Sequence, residues 1–206
     1  MKHFAPVVAL MVSLFLTGCA GLPVLMDGNK GQENPVDVTR LPPMRIVGVS
    51  VNVPWTLSVS EENSYKPKAD IVWREDPLGN RFEQVKAIFE TAAQNVARNL
   101  QGDLPVVVHI EVRKFHALTQ KTRYSIGGTH AIEFLLSVTN GRTGDVIVPP
   151  YLVVTNLKAY GGEQALAAER VGLTQKVRIT THLTELIRQE LTGVPMPPVE
   201  EVALQY

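Results

Sequence analysis

Any chemistry in this 206-residue chain must come from few side chains. Its single cysteine, Cys19, supplies the one thiol, and a thiolate is a strong side-chain nucleophile. One cysteine cannot close an intramolecular disulfide, so the fold must rest on its core. Past Cys19 there is no thiol for nucleophilic catalysis or metal ligation. The sequence holds no Gly-x-Ser-x-Gly elbow, no His-Glu-x-x-His, no phosphate-loop pattern and no Gly-x-Gly-x-x-Gly after a strand. His109, His116 and His130 fall within one stretch of sheet, and a metal would need two of them convergent with Glu111 or Glu133. Their spacing matches no established ligand motif, so ordinary surface or hydrogen-bonded histidines are expected, His182 on the last helix among them. No catalytic, cofactor or metal residue is assigned. The most suggestive stretch is 114–129, where Lys114, Lys121 and Arg123 mix with Phe115, His116 and Tyr124 before a Gly127-Gly128 turn. Such a loop could bind an anionic or aromatic partner, for example a lipid headgroup or glycan. The alternative is a long hairpin with solvated charges and edge-covering aromatics.

The neighbourhood of Cys19 explains its position. Lys2 and His3 open the chain, Phe4 to Phe15 is apolar but for small or mild residues, and Leu16-Thr17-Gly18-Cys19 follows. Twelve residues span about 18 Å as a helix, short of a ~30 Å hydrocarbon core, so an export signal is expected rather than a membrane span. The Leu-Thr-Gly-Cys tetrapeptide resembles the lipobox of bacterial lipoproteins. That resemblance implies a diacylglyceryl group on the Cys19 thiol, cleavage before it and acylation of the new N-terminus. The covalent lipid is then the only non-protein group expected, and several acyl chains on one residue make a stable anchor. Ala20 at the following position, rather than Asp, implies by the same resemblance delivery to the periplasmic face of the outer membrane.

Composition agrees with a body built on a core: 45% of residues are hydrophobic and 19% charged. The 20 basic residues match the 20 acidic ones, and removing residues 1–18 takes only Lys2, leaving a net charge of −1. That balance argues against a nucleic-acid binder and against an acidic disordered chain. Residues 20–43 are rich in Gly, Pro, Asn and Asp without period, and read as a tether whose rms span is roughly 27 Å. The expected organisation is a signal at 1–18, a lipidated N-terminus and tether at 19–43, one domain at 44–193 and a tail at 194–206.

Within the domain, every odd position from Val47 to Val59 is apolar, which predicts a long one-faced strand with Trp55 in the buried set and a kink or edge at Pro54. Residues 61–74 read as a loop with Trp73 packed near a helix entrance. Asp76-Pro77 offers a helix start, which Gly79-Asn80 could delay. Phe82, Val85, Phe89, Ala92, Val96 and Leu100 form its apolar stripe, with Gly102 as the stop. Three alternating strands follow, around Val106–Val112, Ile132–Val138 and Val146–Leu157. Asn140-Gly-Arg-Thr-Gly144 makes a hairpin and Pro149-Pro150 a kink. The last element, from about Glu163 to Leu191 with a break near Gly172, has the stripe Leu173, Val177, Thr180, Leu183, Ile187 and Leu191. The order strand–helix–strand–strand–strand–helix predicts an α+β fold. It is a two-layer α/β sandwich of about four mainly antiparallel strands with helices on one face. The first helix can join two parallel strands.

Ser-Glu-Glu-Asn-Ser-Tyr-Lys-Pro (60–67), Ala-Asp-Ile-Val-Trp-Arg-Glu-Asp-Pro (69–77), Phe-His-Ala-Leu-Thr (115–119), Arg-Tyr-Ser-Ile-Gly-Gly-Thr-His (123–130) and Lys-Val-Arg-Ile-Thr (176–180) resemble a family of alphaproteobacterial lipoproteins built on a domain of unknown function. The likeness covers about residues 45–192. It implies lipoprotein status and brings no catalytic residues. More distantly, the element order is similar to small envelope lipoproteins that serve secretion, cell-wall synthesis or lipid transport as accessory subunits. The expectation is a non-enzymatic binding or accessory module with an envelope protein partner. A lipid-transport or secretion subunit and a small His-dependent hydrolase are the alternatives.

Overall fold

The computed structural model describes residues 31–196. Five strands, β1 (Met44–Asn52), β2 (Ile71–Val72), β3 (Leu104–His116), β4 (Gly128–Asn140) and β5 (Val146–Ala159), form one mixed sheet, with β1, β3, β4 and β5 in that order. Four helices accompany them: α1 (Arg81–Asn99), α2 (Gln120–Arg123), α3 (Gly162–Arg170) and α4 (Gln175–Thr192). β1 and β3 are parallel and joined through α1, while β3, β4 and β5 run antiparallel. The expected α+β fold is therefore the observed one. It gains a two-residue strand, β2, paired with β3 at Phe115 and His116 and too short to show a period.

The first strand departs from its alternation for two local reasons. Between Ile46 and Gly48 the register with β3 slips by one residue, so Val47 bulges out and is 49% exposed. A bulge inserts one unpaired residue and reverses the face of everything beyond it. Met44 and Ile46 precede it on the core side, and Val49 and Val51 follow it there. The strand then ends at Asn52, because Pro54 starts a turn in which Leu57 N donates to Pro54 O (3.0 Å). Trp55, expected in the core, is the second residue of that turn and is 85% exposed.

At α1, Asn80 is the N-cap, its Oδ1 accepting from Phe82 N (3.0 Å) and Glu83 N (3.3 Å). Asp76 cannot cap, because its carboxylate is engaged by Trp73 Nε1 at 2.7 Å and Lys176 Nζ at 2.9 Å. The β4–β5 hairpin forms as its sequence dictates: Asn140 Oδ1 accepts from Arg142 N (2.8 Å), and Gly144 takes φ +80. Pro149-Pro150 are absorbed by a bulge, Val138 facing Val148 while Leu136 faces Tyr151. The last element divides around Gly172 (φ +79), and Thr174 caps α4. The buried stripe of α4 starts at Gln175 and Ile179, with Val177 exposed and Thr180 half-buried, before continuing through Leu183, Ile187 and Leu191.

α1 and α4 cover one sheet face. Phe89 of α1 meets Phe134 and Phe115 edge-on at 5.3 and 6.2 Å between ring centres, and Trp73 meets Phe115 at 5.6 Å. All four are fully buried. The segment expected as a tether is partly docked: Gln32 N donates to Leu152 O (2.7 Å), Asn34 Nδ2 donates to Glu190 O (3.1 Å), and Val36, Val38 and Leu41 pack on the core. A 3₁₀ turn at Val38–Arg40, capped by Asp37, holds this run in place. Cys19, the signal and residues 20–30 lie outside the described residues, as do 197–206. Among the described residues no helix is long and apolar enough to cross a membrane.

Candidate functional site

The six residues of the proposed binding loop surround one end of the sheet, where β3 ends and β4 begins, but they do not share a surface. The register of β3 slips again between Val112 and Lys114. Continued alternation from Val112 would aim Lys114 and His116 at the helices. The slip instead turns Phe115 inward, into the aromatic cluster, and leaves it fully buried. Phe115 is a core residue, not a contact residue. Lys114 and His116 emerge on the uncovered face, where Lys114 Nζ meets Glu133 Oε1 at 3.2 Å. His116 Nε2 is hydrogen-bonded to Pro67 O (3.1 Å), and burial lowers its pKa. Lys121 lies over the Tyr65 ring at 4.6 Å, and Tyr124 is exposed. Arg123 turns inward and is only 8% exposed.

Two sites result. On the uncovered face, a groove of about 570 Å³ runs between Tyr65, Pro67, His116, Leu118, Ile126 and Asn156. Its walls are mostly apolar, with Lys66 at the rim. Gly127, at φ +70, packs its amide region against Gly161, where a Cβ would meet Gly161 N at 2.8 Å, so the turn that shapes the groove requires glycine.

On the helix side, charge is gathered where residues 53–80 meet α2, α3 and α4. Arg123 pairs with Glu75 at 3.2 Å and with Glu169. Glu75 also accepts from Lys176 N (3.0 Å), at the positive end of α4. Arg81 is buried and donates to both carboxylate oxygens of Glu61, at 2.6 and 2.9 Å. Hydrogen bonding from Arg81 holds the Glu61 carboxyl below its usual range. Arg74 joins them through Glu61 O and Gln120 Oε1. Sequence reading missed Glu61, Glu75 and Arg81 as a group, because they are distant along the chain. The one local signal was the mixing of Trp73 with charged neighbours at 74–76.

The histidines divide between the two sides. His109, hydrogen-bonded to Thr139 Oγ1 (2.9 Å), and His116 lie on the uncovered face. His130 points from β4 to the helices, and His182, on α4, faces β5 with its Nε2 2.6 Å from Thr155 Oγ1. The sheet thus separates His130 from the other two members of the trio weighed for metal binding. Among the described residues no group of three His, Cys, Asp or Glu side chains could hold a metal. Burial, helped by Arg178, Arg123 and His182, pushes the His130 pKa down to about 3, so its ring is neutral at pH 7. Burial lowers that of His182 as well, with Arg178 adding to it.

No curated protein matches the chain. Among solved structures it is similar to protein XCC0632 from Xanthomonas campestris, of family DUF330, at 12% identity over 74% of this chain and 86% of that one, with TM-score 0.43. A candidate lipoprotein from Caulobacter crescentus CB15 is similar at 10% identity over 52% and 80%, TM-score 0.30. The PelC dodecamer from Paraburkholderia phytofirmans is similar at 8% identity over 81% and 97%, TM-score 0.34. Likeness at that level carries no activity across. The sequence profile of a family of unknown function, DUF6778, matches residues 44–205, which takes in every strand and helix of the domain, and the chain belongs to that family.

Proposed function

We propose that the chain is an envelope lipoprotein, anchored through Cys19 to the periplasmic face of the outer membrane, whose domain is a non-enzymatic binding or accessory module. The observation that carries this reading is the Leu16-Thr17-Gly18-Cys19 tetrapeptide directly behind the apolar run 4–15. Docking of residues 31–43 bears on its geometry. Only residues 20–30 separate Cys19 from the first described residue, Gly31, and the twelve steps between them reach at most about 43 Å. The domain is thereby held close to the membrane, within reach of an envelope protein partner. A Cys19→Ala variant is expected to move from the membrane to the soluble fraction and to lose palmitate labelling. Retention in the membrane with unchanged labelling contradicts the anchor.

One observation favours a second reading, a lipid-handling accessory subunit. The 570 Å³ groove is mostly apolar and open, with Tyr65 and Ile126 exposed beside it. Under this reading Ile126→Glu weakens phospholipid extraction from vesicles by the purified protein at least tenfold. An unchanged extraction rate removes it.

A further inference from the structure

We propose that the small cavity enclosed by α2, α3 and the N-terminus of α4 is an anion site, taking a halide or one oxygen of a carboxylate or phosphate group. Its polar lining is Arg123, His130, Tyr160, Gln175 and Arg178, with no carboxylate among the lining residues. The volume is about 10 Å³, room for one water-sized atom, so anything larger leaves its remainder at the mouth.

Three observations independent of that shape call for an anion. First, His130 is 1% exposed and its Nδ1 has no hydrogen-bond partner. A buried polar atom left this way is costly, and the cavity it lines is where a partner fits. Second, among the described residues one of the surrounding cations, Arg178, has no carboxylate partner, although its neighbours do. Arg123 is matched by Glu75 and Glu169, and Lys176 by Asp76. Arg178 donates to Lys158 O (2.7 Å) and lies 3.6 Å from the Tyr160 ring centre, but it pairs with no carboxylate among the described residues. Third, the cavity lies at the start of α4, where Gln175 is the first helical residue and the helix dipole is positive. Gln175 Oε1 already accepts from Leu118 N (3.1 Å), which leaves its amide NH₂ as a donor. A bound anion would accept from the Arg178 guanidinium and from Nδ1–H of His130, fixing that tautomer. The site does not depend on how the chain is anchored.

The test is a titration of the full chain in detergent with sodium chloride, acetate or phosphate, at ionic strength held constant with a bulky sulfonate buffer. The readouts are the ¹⁵N shift of His130 Nδ1 and the Tm. A saturable Nδ1 shift is expected with at least one anion, together with a Tm rise of about 5–10 °C at a hundredfold excess over Kd. Arg178→Gln should weaken binding at least tenfold and Arg178→Lys less, while Lys86→Gln on the far helix changes nothing. An Nδ1 resonance indifferent to all three anions, or an equal Tm rise in wild type and Arg178→Gln, overturns the proposal; the first result is what a resident water gives. If Arg178→Gln does not fold, the wild-type resonance alone decides. Phosphatidylglycerol or phosphatidylcholine mixed into the detergent micelles separates sources once a saturable phosphate shift has been seen. Competition by the lipid against that shift identifies a lipid headgroup, and an undisturbed phosphate shift identifies the free anion.

Discussion

The middle of the helix-covered sheet face and its loop end are held by different physics. In the middle, Phe89, Phe115, Phe134 and Trp73 interlock edge to face among Val and Ile of β3 and β4, and apart from the Trp73 Nε1 bond to Asp76 the requirement is dense packing. At the loop end, Arg81, Arg123 and His130 are as deeply buried as core aliphatics, each fixed by directed bonds or, for His130 Nδ1, lacking one. The packed region should tolerate pH and salt and fail when atoms are deleted. The polar region should respond to both, and it is where a ligand can change the energy.

Phe89→Ala is expected to give the largest effect, a loss of about 4 kcal/mol in chemical denaturation, because it opens a cavity beside Phe115 and Phe134. Arg123→Ala should follow at about 2 kcal/mol, since Glu75 and Glu169 would keep largely buried carboxylates without their partner. If Arg123→Ala matched wild type, the polar end would be ornamental. The pH response comes next, and its sign is fixed. His130 titrates near 6.5 when unfolded and at about 3 when folded, so between those values the unfolded chain binds more protons. Stability is full above pH 6.5 and falls as pH drops toward 3, by up to about 1.4 kcal/mol per pH unit from this residue. His116 and His182, also lowered, act in the same direction. Urea midpoints at pH 7.5, 6 and 5 measure the slope, and His130→Leu should flatten it. Trp55→Ala should change stability by less than about 0.5 kcal/mol, since that ring is solvent-exposed; a large loss would restore it to the core.

The sequence makes the packed region readable and conceals the polar one. Alternation in β3 and β4 and the three- and four-residue spacing in α1 give the right elements, because one-faced burial leaves a period. Single-residue slips at Val47 and near Arg113 leave no mark in composition, yet they decide that Val47 is outside and Phe115 inside. The loop end was visible only as an accumulation of charge and aromatics at 114–129. Partnership between Arg123 and Glu75, or Arg81 and Glu61, joins residues 48 and 20 positions apart, which no local pattern encodes. The proposed anchor is the reverse case: it rests on four consecutive residues that lie outside the described structure.

Intact-mass and peptide mass spectrometry of the chain purified from membranes decides whether Cys19 is the anchor. The expected product is a mature chain that begins at Cys19 and carries a diacylglyceryl group on its thiol and an acyl chain on its new N-terminus. A chain that still begins at Met1, or one bearing an unmodified Cys19 thiol, contradicts it.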